Sequence, residues 1–162
     1  MATYIKIATV DVGAGGASNI DFTSIPSTYK HLQLRWIART SRAATTGYFA
    51  VRFNSDSTAT YTKHRIYGTG ASALATGDFG LTESEVSYGA SGSTATANVY
   101  GTGILDLHDY TSTTNFKTYR SFDGSDNNGN GTIELCSGLW RSTSAVTSVN
   151  LVMTAGSFSA GS

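Results

Sequence analysis

His31-Leu32-Gln33-Leu34-Arg35-Trp36-Ile37-Ala38-Arg39-Thr40 alternates strictly along its length. Leu32, Leu34, Trp36 and Ala38 share one parity; Gln33, Arg35, Ile37 and Arg39 share the other. Successive side chains of a strand point to opposite faces, so the segment reads as a strand with one buried face. Residues 48–54 repeat the pattern, with Phe49, Val51 and Phe53 inward and Tyr48, Arg52 and Asn54 outward. The short polar link over 41–47 predicts a hairpin between the two.

Working outward, further strands are expected over 3–10, 61–67, 96–108, 115–122, 132–140 and 145–153, with a weaker one over 79–87 and an extended piece over 20–26. They are separated by Gly/Ser/Thr/Asn-rich stretches at 11–19, 68–78, 89–94 and 123–131. No stretch carries a helical period. Gly101 and Gly103 interrupt the 96–108 strand, as at a bulge or a close approach of another chain. About eight to nine strands at roughly ten-residue spacing predict an all-β, jelly-roll-like antiparallel two-sheet sandwich. A length of 162 residues suits a single domain over 1–162, with 1–19 forming either an extended arm or a first strand.

Composition narrows function. Charged residues are 14% of the chain, against a usual ~25%, and 11 basic residues balance 11 acidic ones. A neutral chain lacks the basic excess of nucleic-acid binders and the steering charge for an anionic membrane. It favours self-association instead. The N-terminal segment lacks the basic leader and continuous apolar core of a signal peptide, and no apolar run approaches the ~20 residues of a membrane-spanning helix. The single Cys136 reads as a small buried hydrophobe.

Sites of chemistry are sparse. Asp126, Asn128 and Asn130 match the start of a calcium loop, but Ser137 occupies the twelfth position, where a bidentate acid is needed, so a hairpin turn is the stronger reading. His31, His64 and His108 have no zinc-binding spacing. The acids Asp78, Glu83, Glu85 and Glu134 are scattered, and no nucleophile elbow surrounds any serine. No catalytic activity and no cofactor are expected. Arg35, Arg39, Arg52, Tyr48 and Tyr100 are the interface candidates, because Arg and Tyr are enriched where subunits meet.

Several segments then resemble one family. Residues 20–35 (IDFTSIPSTYKHLQLR), Val51-Arg52-Phe53-Asn54 followed by 61–70 (YTKHRIYGTG), residues 104–110 (ILDLHDY) and Ser137-Gly138-Leu139-Trp140 are similar, in order, to small virion structural proteins of tailed bacteriophages. The resemblance implies a β-sandwich displayed on a virion as a symmetric oligomer, made in the host cytoplasm. The expected role is a capsid decoration (cement) protein, a homotrimer contacting the major capsid protein or other virion proteins. A tail-fibre or receptor-binding module recognising a host-surface glycan is the alternative. Because such proteins continue into a further apolar strand where this chain ends at 157–162 (SFSAGS), the expectation is either a shortened sandwich or an edge completed by a neighbour.

Overall fold

A computed structural model describes residues 4–162 and contains no helix among them. Ten strands form two antiparallel sheets. In chain order they are β1 (Asn19–Phe22), β2 (Leu32–Ala38), β3 (Thr46–Phe53), β4 (Tyr61–Gly68), β5 (Ala73–Leu81), β6 (Ser84–Ser91), β7 (Gly101–Leu107), β8 (Lys117–Asp126), β9 (Gly131–Trp140) and β10 (Val149–Met153). The four-stranded sheet runs β1-β10-β3-β6 and the six-stranded sheet β2-β7-β8-β9-β4-β5. The chain crosses between sheets six times, in jelly-roll fashion.

The inward parity read for Phe49, Val51 and Phe53 holds: all three are buried between the sheets, where Leu105, Leu107, Tyr119, Trp140 and Leu151 join them. Phe53 lies at the centre of an aromatic cluster, 5.4 Å from the Tyr119 ring and 5.7 Å from that of Trp140. The Tyr61 hydroxyl is not stranded there: it accepts the Phe53 N–H at 2.9 Å and donates to the Asp56 carbonyl at 3.2 Å. Cys136 is also buried, and burial pushes its thiol up to about 12.

Five features depart from the sequence reading. β2 and β3 do not form a hairpin; they belong to opposite sheets, and the Trp36 and Phe49 rings meet edge-on across the interior at 5.3 Å. Two strands with one apolar face each can pair side by side or face each other, and periodicity is the same in both cases. The segment 4–10 is not a strand: its alternation finds no sheet edge to bond, and it forms an arm that shares a groove of about 830 Å³ with β2. Thr3, part of that expected strand, lies outside the described residues. The stretch expected as a loop over 68–78 contains the first six residues of β5, which is exposed from Ala73 to Gly80, and the strand expected over 79–87 is divided between the end of β5 and the start of β6. The loops expected at 89–94 and 123–131 shrink, because β6 continues to Ser91 and β8 to Asp126. The glycines at 101 and 103 serve a close approach within the chain: a Cβ at 101 would press on the Gly89 carbonyl, and one at 103 on the Trp36 ring.

The last strand is not an edge. β10 is flanked by β1 and β3, and the chain beyond it docks back onto the sandwich. Phe158 is buried against Phe49, and the Ser162 carbonyl accepts the Val12 N–H at 3.1 Å.

Candidate interaction surface

The outer face of the six-stranded sheet carries an apolar row. Register partners follow one another across it: Arg35 to Ile104, Ile104 to Phe122, Phe122 to Leu135, Leu135 to Ile66, and Ile66 to Ala75. Phe122, Leu135 and Ile66 are about half exposed, as are Ile37 and Ile133 in the adjoining row. Gly124 and Gly68 flank Ile133 in that second row, and beside them lies a shallow groove of about 680 Å³. A third row is polar, running Gln33, Asp106, Arg120, Ser137, His64. A large apolar side chain on a strand normally turns inward, and here the inward positions of the same strands are already filled.

Those inward positions become charged toward β4 and β5. Lys63 and Arg65 of β4, Glu85 of β6, Asp123 of β8 and Glu134 of β9 converge between the sheets, with Asp78 of β5 at the exposed rim. Lys63 is paired with Glu85 and lies 3.6 Å from Asp78. Arg65 Nη1 lies 3.5 Å from Glu134 and 3.8 Å from Glu85. Asp123 accepts the Ser87 hydroxyl and the Gly89 N–H, both at 2.7 Å. Four carboxyls thus face two cations, and the two deepest carboxyls bear the excess. Burial pushes Asp123 up to about 6; burial, with Asp123 nearby, pushes Glu134 up to about 7. The acids that look scattered in sequence are brought together here, but Glu134 and Asp123 are enclosed by both sheets and work in packing β6 onto the larger sheet.

Each residue singled out from sequence has intramolecular work. Arg39 clamps the segment 93–99, donating to the carbonyls of Val99 at 2.8 Å, Thr96 at 2.9 Å, Ala95 at 3.0 Å and Ser93 at 3.4 Å. Arg52 pairs with Glu83 at 2.5 Å, and Arg35 donates to Gln33 while lying over the Tyr4 ring. Tyr48 stacks on Tyr88 with ring centroids 5.1 Å apart; Arg42 covers the first ring and Arg65 the second. Tyr100 donates to the Ala160 carbonyl at 3.1 Å. Arg39→Ala is expected to leave four carbonyls without their shared donor, destabilising the protein by about 1–3 kcal/mol and making 93–99 the first site of cleavage in limited proteolysis.

Asp126, Asn128 and Asn130 sit in the β8–β9 turn. Asn128 (φ 57°) and Gly129 (φ 97°) take the two left-handed positions of a two-residue hairpin, and Asp126 accepts the Asn128 N–H at 2.9 Å. Ser137, at the twelfth position, is out on the exposed face of β9. Among the described residues no three His, Cys, Asp or Glu side chains converge as a metal site. His31 and His108 meet edge-on at 5.2 Å, with His31 Nδ1 accepting the Asp109 N–H and His108 facing Arg120. Comparison of the chain with protein-family models, with curated proteins and with solved structures finds no match.

Proposed function

We propose that this chain is a non-enzymatic structural subunit of a tailed-phage virion, a decoration protein that sits on the capsid and ties neighbouring capsid subunits together. The observation that carries the reading is the exposed apolar row on the six-stranded sheet. Monomeric proteins rarely leave such a contiguous patch in water. The phage assignment itself rests on the ordered sequence segments quoted above.

Six strands at ~4.8 Å spacing and about seven residues of ~3.3 Å rise give a face of roughly 650 Å², close to the ~800 Å² that each partner contributes to a standard interface. Burying on the order of 500 Å² of apolar surface is worth about 12 kcal/mol gross, before the costs of association. Repeated over a shell, binding that favours the assembled state stabilises it by mass action. The receptor-binding alternative would offer aromatic faces to sugar rings, and of the tyrosines suited to it Tyr48 and Tyr88 already cover each other and are covered by Arg42 and Arg65.

Cryo-electron microscopy of purified virions tests the proposal. Density for this chain repeated over the icosahedral shell supports decoration; density confined to the tail overturns it in favour of receptor binding. Phe122→Asp is expected to abolish rebinding to stripped capsids while changing stability by less than about 1 kcal/mol, since the ring is already half in water. Undiminished rebinding would remove the apolar row from the interface.

A further inference from the structure

The four sheet edges are not alike. β1 is only four residues long, β6 is largely buried against β7, β8 and β9, and β2 is flanked by the arm at 4–10. β5 is nine residues long, exposed from Ala73 to Gly80, and among the described residues nothing packs along its outer edge. Natural sheets protect such edges with Lys, Pro or a covering segment. β5 contains neither Lys nor Pro, its single charge, Asp78, is directed at Lys63, and its bulge at Gly80 lies near one end and leaves 73–79 regular. Phe79 is 88% exposed.

We infer that β5 pairs antiparallel with β5 of a second copy across a two-fold axis at Gly77, joining two six-stranded sheets into one. An axis at Gly77 pairs residues 75–79 with one another and stops short of the bulge at Gly80 (φ 66°). It also satisfies both faces. On the outer face Phe79 would lie opposite the partner's Ala75, next to the partner's Ile66, so the apolar row gains its missing neighbour across the axis. On the inner face Asp78 would lie opposite the partner's Thr76. Thr76 accepts a hydrogen bond from Arg65 Nε at 3.2 Å. Asp78 would therefore sit between its own Lys63 and the partner's Arg65, cation to either side. Moving the axis one residue, to Thr76, sets Asp78 against the partner's Leu74 and loses this match. Gly77 suits the axis because the His64 ring covers it, leaving no room for a Cβ. The pairing is isologous and closes at two copies. It deepens the proposed function, resting on the reading of the chain as an assembly subunit, and it replaces the trimer expected from sequence with a dimer as the unit in solution.

Light scattering on the eluting native protein at about 50 µM is expected to give twice the chain mass. Thr76→Glu places a carboxylate opposite the partner's Asp78, twice per dimer, and is expected to weaken association roughly tenfold or more. Thr76→Gln is expected to leave it unchanged. In the native protein, amide exchange over 73–81 is expected to slow on raising the concentration from 0.5 to 50 µM. A single-chain mass at 50 µM, a triple mass, Thr76→Glu associating like the native protein, or concentration-independent exchange of β5 would each overturn the pairing. These readouts need no virion, so failure of the pairing leaves the shell-density test of the proposed function intact, and the converse holds.

Discussion

Gly101→Ala is expected to destabilise the protein by about 3 kcal/mol, at the upper end for overpacking, because the side chain would press on backbone. An added Cβ lies 2.7 Å from both Ala90 Cα and the Gly89 carbonyl carbon, and nearer still to the Gly89 oxygen. Gly89 itself leaves no more room, since a Cβ there would come within 2.7 Å of the Asp123 carboxylate. β6 therefore rests directly on the main chain of β7 and β8, a separation only glycine allows. Parting the sheets to admit one methyl would also stretch the Asp123 to Gly89 hydrogen bond. The control is Gly15→Ala, which meets nothing within 4 Å and is expected to change stability by less than about 0.5 kcal/mol. Urea unfolding of both variants is the measurement; equal midpoints would show that the sheets are not held at this distance.

The second large effect is on pH. Asp123 and Glu134 bind their protons more tightly when folded, at about 6 and about 7, than in an unfolded chain at about 4. Their protonated forms favour the fold, so their contribution is complete below pH ~4 and is lost as pH rises through 6 and 7. A shift of about two units corresponds to about 3 kcal/mol for Asp123 alone, and coupling to Glu134 makes the pair less than additive. Asp56 acts oppositely. Its burial is outweighed by hydrogen bonds from Thr58, Trp140 and Thr60, which hold it at about 2, so its contribution is lost as pH falls below ~4. Stability is expected to peak near pH 4–5 and decline to pH 8. Glu134→Gln is expected to flatten that decline and raise stability at pH 8. A native curve that climbs from pH 5 to 8 would reverse the assignment.

Much of the fold was legible from parity alone. The inward faces of β2 and β3 follow directly from alternation, because water on one side and core on the other is what alternation records. β5 was illegible for the same reason: with water on both sides, Ala73-Leu74-Ala75-Thr76-Gly77 has no burial pattern to read. Asp123 lies in a stretch rich in turn formers that reads as loop, although only 127–130 turns. Its partner Gly89 is thirty-four residues away, and only the stacking of β6 on β8 reveals the bond. Residue type alone marks Arg39, Arg52, Tyr48 and Tyr100 as interface candidates, and the fold supplies each with intramolecular partners. Alternation puts Ile37 on the face of Gln33, Arg35 and Arg39, but the row to which it belongs depends on registers linking β2 through β5 that no local pattern contains.

The position of β10 has a consequence for synthesis. Phe53 of β3 pairs with Val149, ninety-six residues later in the chain. At ~5–20 residues per second, β3 waits roughly 5–20 s for the neighbour that separates it from β1. During that interval Phe49, Val51 and Phe53 have no completed sheet to occupy, and the small sheet closes only once its final segment has cleared the ribosome. Closure of the small sheet therefore waits on β10, and a nascent chain stalled before residue 149 should be captured by holdase chaperones while one stalled well past residue 162 on a linker should not.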